Sequence, residues 1–264
     1  MYNNYLIFLK NINIAEINKI PFKSNNSYCG ILEHVSYKYG KEYLELILKE
    51  FPNIAHTKIY NFCILNDTYG SPSKETFKIN ENLLVCSPTS LRYIYHALTI
   101  LKHYSSTNCK NIVEVGCGYG GLCLAINYFM VEFNITIEKY NIIDLQESCA
   151  LIKGYLNLHK THINTLNNYH ISDTYGENIS DSDLFFISNY CYTEISSEHN
   201  NKYTEVLLPN VNHGFITWQN GGNKGAYPVK NCGEKIGKII SKIEDEKPQT
   251  DAGYDIYKNY FVYF

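Results

Sequence analysis

Glu114 stands two residues ahead of three glycines on alternate positions, Gly116, Gly118 and Gly120, with Gly121 behind them. Glycines spaced in this way let a ligand press against bare backbone, and the amides of a following helix N-terminus suit an electron-rich group. Gly116-x-Gly118-x-x-Gly121 also satisfies the dinucleotide fingerprint, a pattern that decides little by itself. Two features point elsewhere. Glu114 can reach a ligand through water or hold the loop, and a carboxylate there favours a cationic cofactor over a pyrophosphate. The next acid that ends an apolar run is Asp144, 28 residues beyond Gly116, whereas a dinucleotide site wants its ribose-binding acid roughly 20 residues on.

These residues need elements to hold them. Ile112, Val113 and Val115 read as a buried parallel strand, and Leu122–Met130 as an amphipathic helix. Lys139–Leu145 reads as the second strand and Gln146–Leu158 as the next helix, with Tyr169–Ser172 a short third strand. Asp183–Glu194 holds the fourth strand and its exit loop, and His213–Gln219 reads as the fifth. Gly233–Glu244 has helical spacing, and the tail Tyr254–Phe264 reads as closing strands. Upstream, residues 1–105 carry mainly helical periodicity. Tyr28–Gly40 reads as a helix closed by a glycine, Lys41–Glu50 as a second stopped by Pro52, and Asn66–Ser73 as a turn cluster. Pro88 after Ser87 starts a helix whose buried stripe is Leu91, Ile94, Tyr95 and Leu98. Arg92 falls off that stripe, where it suits a carboxylate or, equally, a structural ion pair. His96 reads as packing. His213 is a base by residue type but enters the fifth strand at the wrong end of the sheet. Ligands of open α/β sheets lie beyond the strands' carboxyl ends, so Asn189, Tyr190, Tyr192 and Glu194 face the expected cleft. Gln219 and Asn220 lie at the same end, beside the loop Gly221–Pro228.

The glycine stretch resembles motif I of the class I S-adenosylmethionine-dependent methyltransferases. Three blocks in order, Ser87–Tyr93, Val113–Gly121 and Ile187–Glu194, together resemble the sugar O-methyltransferase family. Ile142–Leu145 fits as well, and Gly30–Ser36 more loosely. Gln146 stands where that family has proline, and Tyr192-Thr193-Glu194 where it has Phe/Tyr-Ser-Glu. The resemblance implies an α/β fold with a Rossmann-like class I methyltransferase sheet of seven strands, the last antiparallel. It implies a mainly helical N-terminal cap at 1–105 and a catalytic domain at 106–264. S-adenosyl-L-methionine would lie against Glu114, Gly116, Cys117, Gly118, Tyr119 and Gly120, leaving as S-adenosyl-L-homocysteine. Asp144, next to Leu145, would accept both ribose hydroxyls, or else cap the helix after it. Asp173 would meet the adenine amino group or act as a turn residue. Asn189 would complete the cofactor set, and Arg92 would take the methionine carboxylate or an acidic sugar. Glu194 is the expected base or acceptor-orienting acid, although acids are common in the first turn of a helix. Tyr190 and Tyr192 would wall the methyl group, with Tyr93, Gln219 and Asn220 on the substrate.

The composition narrows the partners. With 45% hydrophobic and 19% charged residues the chain is ordinary for a globular protein, and its net charge of −3 gives no broad basic field for nucleic acid. The nine cysteines form no Cys-x-x-Cys pair, which suits reduced, buried thiols in the cytoplasm rather than a metal site. No compact Asp/His cluster follows the fourth strand, so no metal is expected. Met1–Lys10 has too short an apolar run for a signal peptide, and no run approaches bilayer length. A homo-oligomer stays open. The competing readings are an amine or aromatic-alcohol methyltransferase and a non-catalytic binding module built on the same fold.

Overall fold

The computed structural model describes residues 2–161, 168–220, 228–250 and 258–264. The chain begins with helices α1 (Tyr2–Lys10), α2 (Asn26–Cys29), α3 (Tyr37–Glu50) and α4 (His56–Asp67). A hairpin of β1 (Glu75–Ile79) and β2 (Asn82–Cys86) leads into α5 (Pro88–Tyr104). There follow β3 (Asn111–Val115), α6 (Gly121–Phe129), β4 (Lys139–Ile143), α7 (Gln146–His159) and β5 (Tyr169–Ser172). The last part holds β6 (Leu184–Asn189), α8 (Cys191–Glu194), α9 (Ser197–Val206), β7 (Val211–Gln219), α10 (Cys232–Ile236), β8 (Lys242–Asp245) and β9 (Asn259–Tyr263). Among the described residues no helix is long and apolar enough to cross a membrane.

The chain divides into two compact units, one of Met1–Leu101, Gly118–Asn134 and Gln146–Asn167, the other of Lys102–Cys117, Ile135–Leu145 and Asn168–Phe264. The second unit contains a seven-stranded sheet in the order β5-β4-β3-β6-β7-β9-β8. The first five of these strands run parallel, and β9 lies antiparallel between β7 and β8. This is the Rossmann-like class I methyltransferase sheet. Its central strands are largely apolar because both faces are covered: every residue of β3, Glu114 included, and the first five of β6 are buried. Val113, Phe186, Tyr192, Ile216, Trp218 and Val262 belong to one core cluster. Burying such side chains contributes roughly 1.5–3 kcal/mol each.

The first unit is built around aromatic rings and one buried cation. Phe22, Tyr28, Tyr119 and Tyr155 pack edge-on or tilted, with centroids 4.9 to 6.2 Å apart. Lys23 Nζ lies 4.4 Å from the Tyr119 ring centre and 5.0 Å from that of Tyr155, and it donates to the Asn66 carbonyl. Burial lowers the Lys23 pKa to about 8, against the opposing pull of Glu33 and Asp67. Ring and carbonyl contacts offset part of that desolvation. Asn66 and Asp67, expected in an exposed turn, end α4 and are buried. Asp67 accepts from the Ser87 amide at 2.6 Å and from the Ser90 hydroxyl at 2.7 Å.

Several expected elements are relocated. The β1–β2 hairpin lies inside the stretch read as helical, because two five-residue strands are too short to overturn the periodicity around them. Gly40 sits within α3, whose cap is Ser36 accepting from the Tyr39 amide at 3.3 Å. The helix expected over Gly233–Glu244 ends at Ile236, where Gly237 turns left-handed at φ +65°, and Lys242–Asp245 joins the sheet instead. Tyr254–Tyr257 of the expected closing strand and Gly221–Tyr227 of the expected loop lie outside the described residues.

One carboxyl group is sealed inside β3. Glu114 is 1% exposed and its Oε2 accepts from the Tyr140 hydroxyl of β4 at 2.6 Å. Burial raises its pKa from 4.5 to about 7, the hydrogen bonds from Tyr140 and Cys117 oppose that, and the charge of Asp144 adds to it. The folded chain therefore holds a proton that the unfolded chain has released between pH 4.5 and about 7. The resulting stabilisation is complete below pH 4.5 and disappears as the pH rises through 7. At about 1.4 kcal/mol per pH unit this amounts to roughly 3 kcal/mol. Glu114→Gln, neutral at every pH, should gain that much on wild type in urea unfolding between pH 4.5 and pH 8. Parallel curves for the two proteins would show that Glu114 titrates normally.

Candidate active site at the carboxyl edge of the sheet

The order of the parallel strands reverses between β3 and β6, since β4 and β5 are added on one side and β6 and β7 on the other. Such a reversal opens a crevice beyond the carboxyl ends of the two central strands. The glycine turn begins at that point. Gly116 has φ +82° and its amide donates to the Ile143 carbonyl at 2.9 Å, tying the exit of β3 to that of β4. A Cβ at Gly116 would overlap Cβ and Sγ of Cys191. Glycine is thus required here because the exit of β6 crosses directly over it. Ser188 completes the junction, donating to the Val115 carbonyl and accepting from the Tyr192 amide, both at 3.0 Å. Below the turn Cys117 Sγ donates to Glu114 Oε2 at 3.3 Å, so Glu114 holds the loop from inside.

Carboxylates gather around this junction. Asp144 caps β4 and is half-buried, with Oδ1 accepting from the Leu145 amide at 2.8 Å. The Cys191 thiol is pushed well above its usual pKa, first by burial and then by the charges of Asp144, Glu194 and Glu114. Three acids from β3, β4 and α8 therefore act on one atom. The field at that point favours a positively charged group.

Glu194 is exposed in α8, and its Oε1 accepts from Gln219 Nε2 at 2.8 Å. Asn189 ends β6, with Oδ1 accepting from the Thr217 hydroxyl at 2.8 Å. Asn220 Oδ1 accepts from the Val229 amide at 2.7 Å. Leu145 is 38% exposed beside Asp144, and Asp173 is exposed at the exit of β5. The expected residues Glu114, Gly116, Cys117, Asp144, Leu145, Asp173, Asn189, Tyr190, Glu194, Gln219 and Asn220 thus all lie at one edge of the sheet.

Four expected side chains have other surroundings. Tyr192 is fully buried against Phe186 and Trp218, its hydroxyl 2.6 Å from that of Thr204, so it belongs to the core rather than to a cleft wall. Arg92 is 7% exposed and donates to the Leu32 carbonyl at 2.9 Å within the first unit. The single-stripe reading of its helix fails because residues 88–98 of α5 are buried on every side. Tyr93 and Tyr119 pack edge-on, and the Tyr93 ring fills the space beside Gly121. Gly118 and Gly120 are left-handed at φ +67° and +99°, flanked by Leu32 and Leu156 respectively. His96 is buried between Tyr43 and Tyr95 and its pKa falls to about 3 through burial, as suits a packing residue.

Sequence reasoning passed over Cys191 and Glu246. Cys191 could have been found from its place two residues after Asn189 on the fourth strand's exit. Glu246 carries no such signal, because only the pairing of β8 with β9 brings it to this edge.

No known protein family matches the chain, and no curated protein matches it in sequence. Solved structures similar to it include TehB from Haemophilus influenzae, at 12% identity and a TM-score of 0.45 over 62% of this chain and 60% of that one. The methyltransferase domain of the bacterial CtHen1-CN is similar at 12% identity and a TM-score of 0.45, over 64% of this chain and 96% of that one. PKMT2 from Rickettsia typhi, solved in complex with AdoHcy, matches at 19% identity and a TM-score of 0.34 over 48% of this chain and 25% of that one. The matched region thus spans less than two thirds of TehB and a quarter of PKMT2, and strand order and direction, rather than these likenesses, define the fold.

Proposed function

We propose that the protein is an S-adenosylmethionine-dependent O-methyltransferase acting on a hydroxyl of a sugar or nucleotide-sugar. The observation that carries this reading is the acid rim at the switch point. Asp144 follows β4 beside the Gly116 turn, and Glu194 is exposed on α8 at the same edge, with Glu114 buried beneath them. A carboxylate at that strand end accepts vicinal ribose hydroxyls, and the rim as a whole favours a sulfonium over a pyrophosphate. Asp144 has one oxygen on the Leu145 amide, which fixes the direction of the other. The donor set therefore fits S-adenosylmethionine, which when bound supplies an electrophilic methyl group.

The chain's own work is alignment and proton handling. Holding the acceptor oxygen in line with the methyl carbon can account for most of the acceleration. Glu194 and Gln219, hydrogen-bonded to each other at the rim, offer both an acceptor and donors to a polyhydroxylated molecule. We assign them to orienting the sugar. Residues 1–105 are the proposed region for selecting the acceptor.

Asp144→Ala should weaken S-adenosylmethionine binding at least tenfold by titration calorimetry, and an unchanged Kd would remove Asp144 from the cofactor site. Glu194→Gln should leave that Kd alone and raise the KM for the sugar about tenfold, the loss of one charged hydrogen bond. A normal KM with wild-type turnover would release Glu194 from the substrate.

A further inference from the structure

The buried carboxylate of Glu246 has no place in the reading above, yet the strand directions carry it to the same edge. Both β7 and β8 lie antiparallel to β9, so β8 ends where the parallel strands end. Glu246 is the first residue beyond β8, is 1% exposed, and its amide donates to the Asn259 carbonyl at 3.0 Å.

Its two oxygens have different surroundings. Oε2 accepts from Asn259 Nδ2 at 2.9 Å, from the Thr250 hydroxyl at 2.9 Å and from the Thr250 amide at 3.3 Å. Asn259 is itself clamped, its carbonyl accepting from Gln249 Nε2 at 2.7 Å and its amide donating to Gln249 Oε1 at 3.0 Å. Oε2 thus ties the segment after β8 to the start of β9. Oε1 accepts the hydroxyl of Tyr190.

Tyr190 is in turn an unusual residue. It follows Asn189 at the end of β6 and precedes Cys191, which lies on Gly116. Its φ is +65°, a conformation that a bulky side chain rarely adopts, and its amide is secured by the Thr217 carbonyl at 3.0 Å. The ring is half-buried. A strained aromatic residue at the switch point, with its hydroxyl on a sealed carboxylate, is more than the loop clip requires, because Oε2 already supplies that.

We propose that the Tyr190 hydroxyl is the group that meets the acceptor hydroxyl, and that Glu246 is its positioning residue and the final holder of the proton. This rests on the methyl-transfer reading and deepens it. The acceptor's proton passes to Tyr190 Oη while the tyrosine's own proton passes to Glu246 Oε1. The acceptor oxygen bonds to the methyl carbon as the carbon–sulfur bond breaks, its electron pair staying on sulfur as a neutral thioether. The protonated carboxyl is sealed from water, so its proton later leaves by way of the half-buried Tyr190 hydroxyl. Burial raises the Glu246 pKa, against the hydrogen bonds from Tyr190, Asn259 and Thr250. A carboxylate of raised basicity is a better proton acceptor. The groups on it are the Tyr190 phenol from β6, Asn259 from β9 and Thr250, while the adjoining Asp245 lies 3.8 Å from Lys258.

The pair is tested with and without cofactor. In protein labelled with carbon-13 at the glutamate carboxyls, the resonance lost in Glu246→Gln identifies Glu246. In Tyr190→Phe, which removes only a hydroxyl, its titration should move to higher pH, since a hydrogen bond to the charged form is gone. An unmoved midpoint overturns the pairing. Transfer of label from methyl-tritiated S-adenosylmethionine to UDP-glucose, GDP-mannose and dTDP-glucose is then measured. Tyr190→Phe and Glu246→Gln should each lose about 10²-fold in turnover, with unchanged Kd for S-adenosylmethionine and no further loss in the double variant. Glu246→Gln should also lose the acidic limb of the pH–rate profile, and Glu246→Asp should restore part of the rate. Wild-type turnover in Tyr190→Phe, or a surviving acidic limb in Glu246→Gln, overturns the relay alone. Wild-type protein that labels none of the three sugars overturns the acceptor reading and the relay with it, whatever the titration shows.

Discussion

Cys191 fills the space that a side chain at position 116 would need, and the geometry of the carboxyl edge follows from that one close approach. β6 must leave the sheet directly above the end of β3, and Ser188 locks the crossing by bonding to both the Val115 carbonyl and the Tyr192 amide. The first glycine of the turn is therefore obligatory for packing, and its missing Cβ is what lets the two central strands' exits come together.

That crossing gathers carboxyl groups. Glu114 reaches the junction from beneath, held neutral by burial until the pH approaches about 7, while Asp144 and Glu194 come from the neighbouring strand end and the next helix. The charge of Asp144 adds to the rise in the Glu114 pKa, so the two strand exits are coupled electrostatically as well as by the Gly116 amide.

The parallel half of the sheet was legible because its strands are mostly apolar, with acids or amides at their ends and Glu114 and Asn141 the polar residues inside β3 and β4. Ile112–Val115, Lys139–Ile143 and Leu184–Ser188 announce themselves by composition, and Asp144, Asn189 and Glu194 could then be placed by the rule for open sheets. The antiparallel edge was not legible. Lys242–Asp245 is four residues with charges at both ends and reads as helix until β9 pairs with it. The surroundings of Arg92 and Tyr93 were hidden for a related reason: a one-stripe reading of α5 assumes solvent on the far side, and residues 88–98 are buried on every face, while the open-sheet rule that placed Tyr192 at the edge does not say whether its ring turns into the core. Periodicity reports what an element offers to its neighbours, and says little when neighbours surround it.

Glu246 shows how much of a site lies beyond the reach of local pattern. Its chain neighbours, Asp245 and Lys247, make it look like a solvated charge, yet it is among the most buried acids of the chain. β8 runs in the direction of β6 and β7, so its end reaches the edge where β6 ends, and there the carboxyl group meets the Tyr190 phenol. The antiparallel final strand thus has a consequence beyond closing the sheet. Because β9 runs back from that edge, its first residue, Asn259, starts beside Glu246 and donates to it. The one departure from parallel order is what supplies the amide that holds the buried acid.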